Sequence, residues 1–253
     1  MSTLHTIPAD WTAAPGLLKD RTILVTGAAN GIGRALATAL AARGASTILL
    51  DKDVHGLEQA YDAIVAAGYP EPGLYPLDLK GAVPNDYATL ATTLEREYPA
   101  LDGLIHNAAY LGALVPFANF DDEMWFETLQ INLNAPYLLT MACLGLMNRS
   151  TDASIIFSSD ANGRQGKAYW GAYGVSKAGL EGFMQILADE LETNSPVRVN
   201  SIDPGPVRTA LRRLAYPGED VATLNTPEDV INPFLYLLGP DSKGITGQQF
   251  TVT

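Results

Sequence analysis

The chain has 253 residues, 47% of them hydrophobic and 17% charged, with a formal net charge of −12 at neutral pH. This composition excludes a disordered polymer, and the acidic balance excludes a nucleic-acid partner, because phosphate binding needs a concentrated basic face. Cys143 is the single cysteine, which excludes an internal disulfide and a cysteine-based metal cluster.

The three histidines, His5, His55 and His106, lack metal-ligand spacing, and no metal is expected. No secretory signal opens the chain and no run reaches the ~18 apolar residues of a membrane span. A cytoplasmic protein without membrane contact is the expectation.

Residues 1–20 read as an N-terminal leader, with Ile7 to Gly16 on the surface, and residues 21–253 as one domain. Short β-branched and aliphatic runs follow at Thr22–Thr26, Ser46–Leu50, Gly73–Leu77, Gly103–His106, Ser154–Ser158, Val197–Ile202 and Gln248–Thr251. Segments with helical apolar spacing alternate with them: Ile32–Arg43, Val54–Ala67, Tyr87–Tyr98, Glu123–Met147 and Tyr173–Glu192. Ile23-Leu24-Val25 and Ile155-Ile156-Phe157 are apolar on consecutive residues, as in central parallel strands covered on both faces. The alternation predicts an α/β doubly wound parallel sheet of the Rossmann type, with about seven strands and helices on both faces. Ligands on such a sheet bind beyond the carboxyl ends of the strands.

The first strand runs into Thr26-Gly27-Ala28-Ala29-Asn30-Gly31-Ile32-Gly33 and then into an Ala/Leu-rich helix. Glycines there let the backbone turn sharply and approach a pyrophosphate, while the helix N-terminus supplies unpaired N–H groups. Gly27, Asn30, Gly31, Ile32 and Gly33 are therefore assigned to a dinucleotide; a glycine turn that binds nothing is the plain alternative. Asp51 ends the second strand, where an acid about 20 residues past the turn accepts hydrogen bonds from the adenosine ribose. Its charge would repel a 2′-phosphate and favours NAD over NADP, although Lys52 or Arg34 could reach such a phosphate; an ordinary turn role is the alternative. Asp78 and Leu79 follow the third strand, with Asp78 placed either for the adenine amino group or to cap the next helix.

Tyr173 and Lys177 stand four residues apart on one helical face. A phenol with a solution pKa of about 10 is a poor base, and a neighbouring cation lowers that value. The pair then acts as general base in alcohol oxidation or general acid in carbonyl reduction. By itself the spacing carries little weight; it gains weight from the nucleotide turn upstream.

These motifs in this order resemble the short-chain dehydrogenases/reductases over nearly the whole length, from about Arg21 onward. The resemblance rests on Thr26 to Gly33, Asp78, His106-Asn107-Ala108-Ala109, Asn132 in Ile131-Asn132-Leu133, Tyr173/Lys177 and Pro204-Gly205-Pro206-Val207-Arg208-Thr209. Gly163 to Tyr173 looks most like a bacterial group typified by YciK. The resemblance implies an NAD(P)-dependent oxidoreductase with Tyr173 as acid/base and Lys177 tuning it while holding the nicotinamide ribose. It further implies that Asn132 positions a water in a proton relay and that Asn107 and Ala108 line the cofactor. Pro204, Gly205, Val207 and Thr209 would then meet the nicotinamide end.

One departure from the family matters most: thirteen residues before Tyr173, where a substrate-orienting serine is usual, stands Asp160, and the nearest serine is Ser159. Ser159 is preferred for the serine's role, with replacement by Asp160 the other reading; an ionised Asp160 would repel a developing alkoxide. His106 reads as structural, at the first position of the family's Asn-Asn-Ala-Gly motif. The substrate is expected to be a small or medium alcohol/carbonyl compound, under a lid at about residues 210–226 and beside walls from Leu111 to Pro116 and Trp170. A homodimer or homotetramer is expected by analogy. The competing reading is a nucleotide-binding regulatory or scaffold protein without turnover.

Overall fold

Alternate residues of a strand point to opposite faces of its sheet, and here both faces are apolar. The computed structural model describes residues 4–252. Its strands are β1 (Leu4–His5), β2 (Thr22–Thr26), β3 (Ser46–Asp51), β4 (Gly73–Pro76), β5 (Gly103–His106), β6 (Ala153–Ser158), β7 (Val197–Asp203) and β8 (Gln249–Thr251). They form one sheet in the order β1-β8-β7-β6-β5-β2-β3-β4, and every pairing is parallel. The helices are α1 (Gly31–Ala41), α2 (Val54–Ala66), α3 (Pro84–Glu97), α4 (Asp122–Leu129), α5 (Ala135–Met147), α6 (Ala161–Arg164), α7 (Gly171–Leu191), α8 (Ala210–Ala215) and α9 (Asn232–Leu238).

Leu24, Leu50, Ile155 and Phe157 pack with α3, α5 and α7 on one face. Ile23, Val25, Leu49 and Ile156 pack with α1, α2 and α9 on the other. Each strand thus feeds two cores, and its consecutive apolar residues are the direct consequence. The chain winds outward from β2 through β3 to β4, then returns to place β5 on the opposite side of β2. That reversal opens a crevice at the carboxyl ends of β2 and β5, the place where such sheets take ligands.

The sheet has eight strands among the described residues, one more than the sequence pattern counted. The extra one is β1, whose two residues pair with Gln249 and Phe250 of β8; a strand that short has no period to read. The leader lies at the surface over residues 7–16 and is tied down at its end and by one ring. Leu18 is fully buried, and Trp11 packs edge-on against Tyr236 while its indole N–H donates to Asp241 at 2.8 Å.

Helix α3 starts three residues earlier than the pattern suggested, at Pro84, which needs no N–H in the first turn, while Asp86 accepts from the Val83 N–H at 2.8 Å. The single helix expected over Glu123–Met147 is divided by a π turn at Gln130–Asn134. Pro136 has no N–H to return to the carbonyl of Asn132, and its ring crowds that position, so the ladder takes in an extra residue there.

Candidate functional site

A cavity of about 300 Å³ occupies the crevice, and the glycine turn forms one end of it. Gly27 and Gly31 sit at φ of +70° and +52°, a region open to glycine at no steric cost. A Cβ on Gly27 would lie 2.9 Å from the Cα of Ala108, and one on Gly33 would run into the Gly27 carbonyl oxygen. The turn is therefore packed as tightly as backbone allows. Asn30 makes no side-chain cap, which leaves the first N–H groups of α1 for a ligand where Asn30, Gly31 and Ile32 line the cavity. These residues fit a pyrophosphate. Gly33 itself does not line the cavity; it lets α1 close on the turn.

Thr26 and Asn107 hold the two central strands together at this end. The Thr26 hydroxyl accepts from the backbone N–H groups of Asn107 (3.0 Å) and Ala108 (3.1 Å), and the Asn107 amide donates to the Thr26 carbonyl at 3.2 Å. Asp51, Asp78, Leu79, Asn107 and Ala108 all line the cavity. Asp51 has a turn role as well, because its carboxylate accepts from the N–H groups of Ala29 and Asp53, each at 3.1 Å. Each oxygen keeps a lone pair for a further donor. Asp78 caps no helix; it closes a local turn by accepting from the Lys80 N–H at 3.1 Å. Pro204, Gly205, Val207 and Thr209 line the far end, and Thr209 caps α8 by accepting from the Arg212 N–H.

Tyr173 and Lys177 sit on the first turns of α7, both almost fully buried. The Lys177 ammonium donates to the Ser158 carbonyl at 2.7 Å and lies 5.6 Å from the centre of the Tyr173 ring. Burial lowers its pKa to about 8, against the pull of Asp160, Glu181 and Asp203, and it is cationic at neutral pH.

The expectation that Lys177 depresses the phenol pKa is not met. Burial first, then the charge and hydrogen bond of Asp160, hold the Tyr173 phenol well above its usual value. The reason is geometric: the Tyr173 hydroxyl donates to Asp160 Oδ2 at 3.3 Å. Asp160 Oδ1 is fixed by the backbone and side-chain amides of Asn162, at 2.8 and 2.6 Å, as the cap of α6.

Ser159, the residue preferred from sequence for the orienting serine, lines the cavity but points its hydroxyl elsewhere. It donates to Glu181 at 2.5 Å, inside a buried network in which Glu181 also accepts from Ser201, Arg164 and Gln249. Burial works to raise the Glu181 pKa, but those donors overcome it and hold the carboxyl below its ordinary value. Of the two readings left open by the sequence, the hydrogen-bond geometry puts Asp160 beside Tyr173.

Asn132 lies in the π turn. Its amide is spent on the Tyr110 backbone, accepting at 2.7 Å and donating at 2.8 Å, with a further bond to Ser176 at 3.1 Å. His106 is structural in its contacts: the ring stacks on Phe157 at 4.9 Å and meets the Thr140 hydroxyl at 2.8 Å.

The end of the cavity beside Tyr173 is aromatic. Trp170 lies 5.5 Å from Tyr173 and 6.0 Å from Tyr216, and Leu111 packs with Trp170 and Tyr173. Arg212 stacks 3.8 Å over the Tyr216 ring and is held there by Glu219. Asp203 is a lining residue that the sequence reading missed; burial raises its carboxyl pKa. It ends β7 directly before Pro204-Gly205, the same strand-end position that drew attention to Asp51 and Asp78, and that analogy would have found it.

Comparison with known proteins matches this arrangement. The family model for short chain dehydrogenases matches residues 21–220. The chain is 43% identical to the Escherichia coli oxidoreductase YciK over 92% of both chains. A short chain dehydrogenase from Pseudomonas syringae superposes with a TM-score of 0.94 at 49% identity, covering 96% of this chain and 98% of that one. One from Shigella flexneri, complexed with NADP, superposes with a TM-score of 0.92 at 42% identity, covering 94% of this chain and 99% of that one. The glycine turn, the buried tyrosine–lysine pair and these matches together identify the chain as a member of the short-chain dehydrogenase family, related to YciK.

Proposed function

We propose that the protein is an NAD(P)(H)-dependent oxidoreductase that reduces a polar double bond in a small or medium-sized substrate, with Tyr173 as its proton donor. The carbonyl of an alcohol/carbonyl pair is the class that the family resemblance implies. The observation that carries the reading is the buried Tyr173–Lys177 pair opening onto the same cavity as the glycine turn. The dinucleotide supplies the hydride when bound.

The protein's own residues do the rest. Tyr173, kept protonated by burial and by Asp160, holds the proton that reduction requires. Lys177 is anchored on the Ser158 carbonyl and keeps a positive charge beside the phenol as the proton leaves. Trp170, Tyr216 and Leu211 wall the reacting end against water. We take α8 and the segment after it as the substrate lid of a single catalytic domain.

The Shigella relative binds NADP, which does not support the preference for NAD read from Asp51. We therefore assign either dinucleotide to the site, with Lys52, which lines the cavity beside Asp51, as the candidate for a 2′-phosphate; Arg34 stands outside the lining, with its guanidinium on Gln59. We also infer a homo-oligomer, since Phe126, Tyr137, Met141 and Ile186 leave apolar surface exposed on α4, α5 and α7, and a cytoplasmic location, for which the lone, buried Cys143 suits a reducing compartment.

The test is nicotinamide absorbance with NADH or NADPH and a panel of ketones and aldehydes, for wild type and Tyr173→Phe. Turnover by wild type that disappears in the variant, with cofactor affinity within about twofold, is the expected result. Turnover retained by Tyr173→Phe would refute the assigned role. Tight cofactor binding without turnover on any substrate would favour a regulatory nucleotide-binding protein.

A further inference from the structure

We propose that the substrate's reacting group is a carbon–nitrogen double bond, an imine, whose nitrogen becomes positively charged against the carboxylate of Asp160. This rests on the oxidoreductase reading above and names its substrate class.

Three observations support it. The first is the carboxylate itself: Asp160 Oδ2 lies 3.3 Å from the phenol that delivers the proton, and Oδ1 is pinned by Asn162. Any atom that takes the Tyr173 proton must sit beside this negative charge. The second is that the neighbouring serine does not compensate. The Ser159 hydroxyl is turned to Glu181 and offers no hydrogen bond to an oxyanion next to Tyr173. A carbonyl oxygen gains negative charge as hydride adds, and here it would meet a carboxylate where a donor is needed. An imine nitrogen follows the opposite course, since it is protonated to a cation before hydride arrives.

The third is the wall of the cavity. Trp170 lies between Tyr173 and Tyr216, with ring centres 5.5 and 6.0 Å away; Lys177 already stands over Tyr173 and Arg212 over Tyr216, which leaves the Trp170 ring to attract a flat cation. Of the cations at this end, Arg212 is engaged by Glu219 and Lys177 by the Ser158 carbonyl, while Lys167 stands 6.0 Å over the outer ring, Tyr216. Asp160 makes no salt bridge among the described residues, and Asp203 adds a second lining carboxylate.

The step balances as follows. The imine nitrogen takes the phenolic proton of Tyr173, giving an iminium that faces Asp160, with the phenolate between it and Lys177. The imine carbon receives a hydride with its electron pair from the reduced nicotinamide. The carbon–nitrogen π pair becomes the nitrogen lone pair, leaving a secondary amine and oxidised nicotinamide, and Tyr173 regains a proton from water.

The test uses two compounds of one shape, the cyclic imine dihydroisoquinoline and the ketone tetralone, assayed with NADPH and NADH on wild type, Asp160→Ser and Asp160→Asn. Wild type should reduce the imine with a kcat/KM at least about tenfold above the ketone, and Asp160→Ser should reverse the order. A wild type that prefers the ketone, or an imine preference unchanged in both variants, overturns the proposal and leaves the oxidoreductase reading standing.

Calorimetric titration of the NADPH-saturated protein with tetrahydroisoquinolinium separates the two failures. Wild type should bind this cation at least about tenfold more tightly than Asp160→Asn. That difference with no turnover of either compound would sustain the cationic subsite and count against the oxidoreductase reading. Equal binding with no imine turnover overturns the proposal.

Discussion

Acidification should destabilise this protein through a residue outside the cavity. His106 is 4% exposed, stacked on Phe157 and bonded only to the Thr140 hydroxyl. Burial lowers its imidazole pKa from 6.5 to about 3. With the folded value below the unfolded one, the unfolded chain takes up the proton first. The stability contribution is therefore complete above about pH 6.5 and is lost as the pH falls toward about 3. At 1.36 kcal/mol per unit the whole window is worth about 5 kcal/mol, of which about 2 kcal/mol falls between about pH 7 and about pH 5. His106→Gln keeps a hydrogen-bonding group toward Thr140 and removes the titration. Urea unfolding of both proteins at the two pH values, at one protein concentration, cancels the carboxylates that they share. Wild type should lose about 2 kcal/mol more than the variant. Equal losses would show that His106 is not held neutral in the fold, and the reasoning from its burial would fail.

Other substitutions probe the cofactor end and the network behind the site. Asp51→Ala should weaken NADH by about tenfold in fluorescence titration and NADPH by much less, because the carboxylate attracts ribose hydroxyls and repels a 2′-phosphate. Equal losses for both would mean that Asp51 serves only the turn it makes with Ala29 and Asp53. Glu181→Leu leaves the buried guanidinium of Arg164 without its carboxylate, and should lower unfolding free energy by about 3–5 kcal/mol in the same urea assay. A loss below about 1 kcal/mol would place the network's strength in Ser201 and the Phe250 carbonyl, which Arg164 also meets.

Much of the architecture was legible because it is carried by short-range periodicity. Consecutive apolar residues marked the strands that cover both cores, and the boundaries at Thr22–Thr26 and Gly103–His106 agree with the pattern to the residue. Elements without a period were not legible. The two residues of β1 owe their strand to pairing with β8, and α6 to the cap that Asp160 provides. The π turn was hidden because the apolar spacing of Gln130–Asn134 stays helical while the hydrogen-bond ladder shifts by one residue.

The amino-acid sequence by itself determined the doubly wound sheet, the glycine turn at the head of α1, and the placement of Tyr173 and Lys177 one helical turn apart. Each follows from rules that act over a few residues: strand pleat, helix pitch and the missing Cβ of glycine. Tertiary structure alone decided which of Ser159 and Asp160 stands beside the phenol. Neighbouring residues leaving a strand point to opposite sides, and which side met Tyr173 depended on how β6 ran into α6 and on Glu181 claiming the serine. The protonation of Tyr173 was decided in the same way. The lysine four residues along is visible in the sequence, but the desolvation and the Asp160 carboxylate that override it exist only once the chain has packed around them.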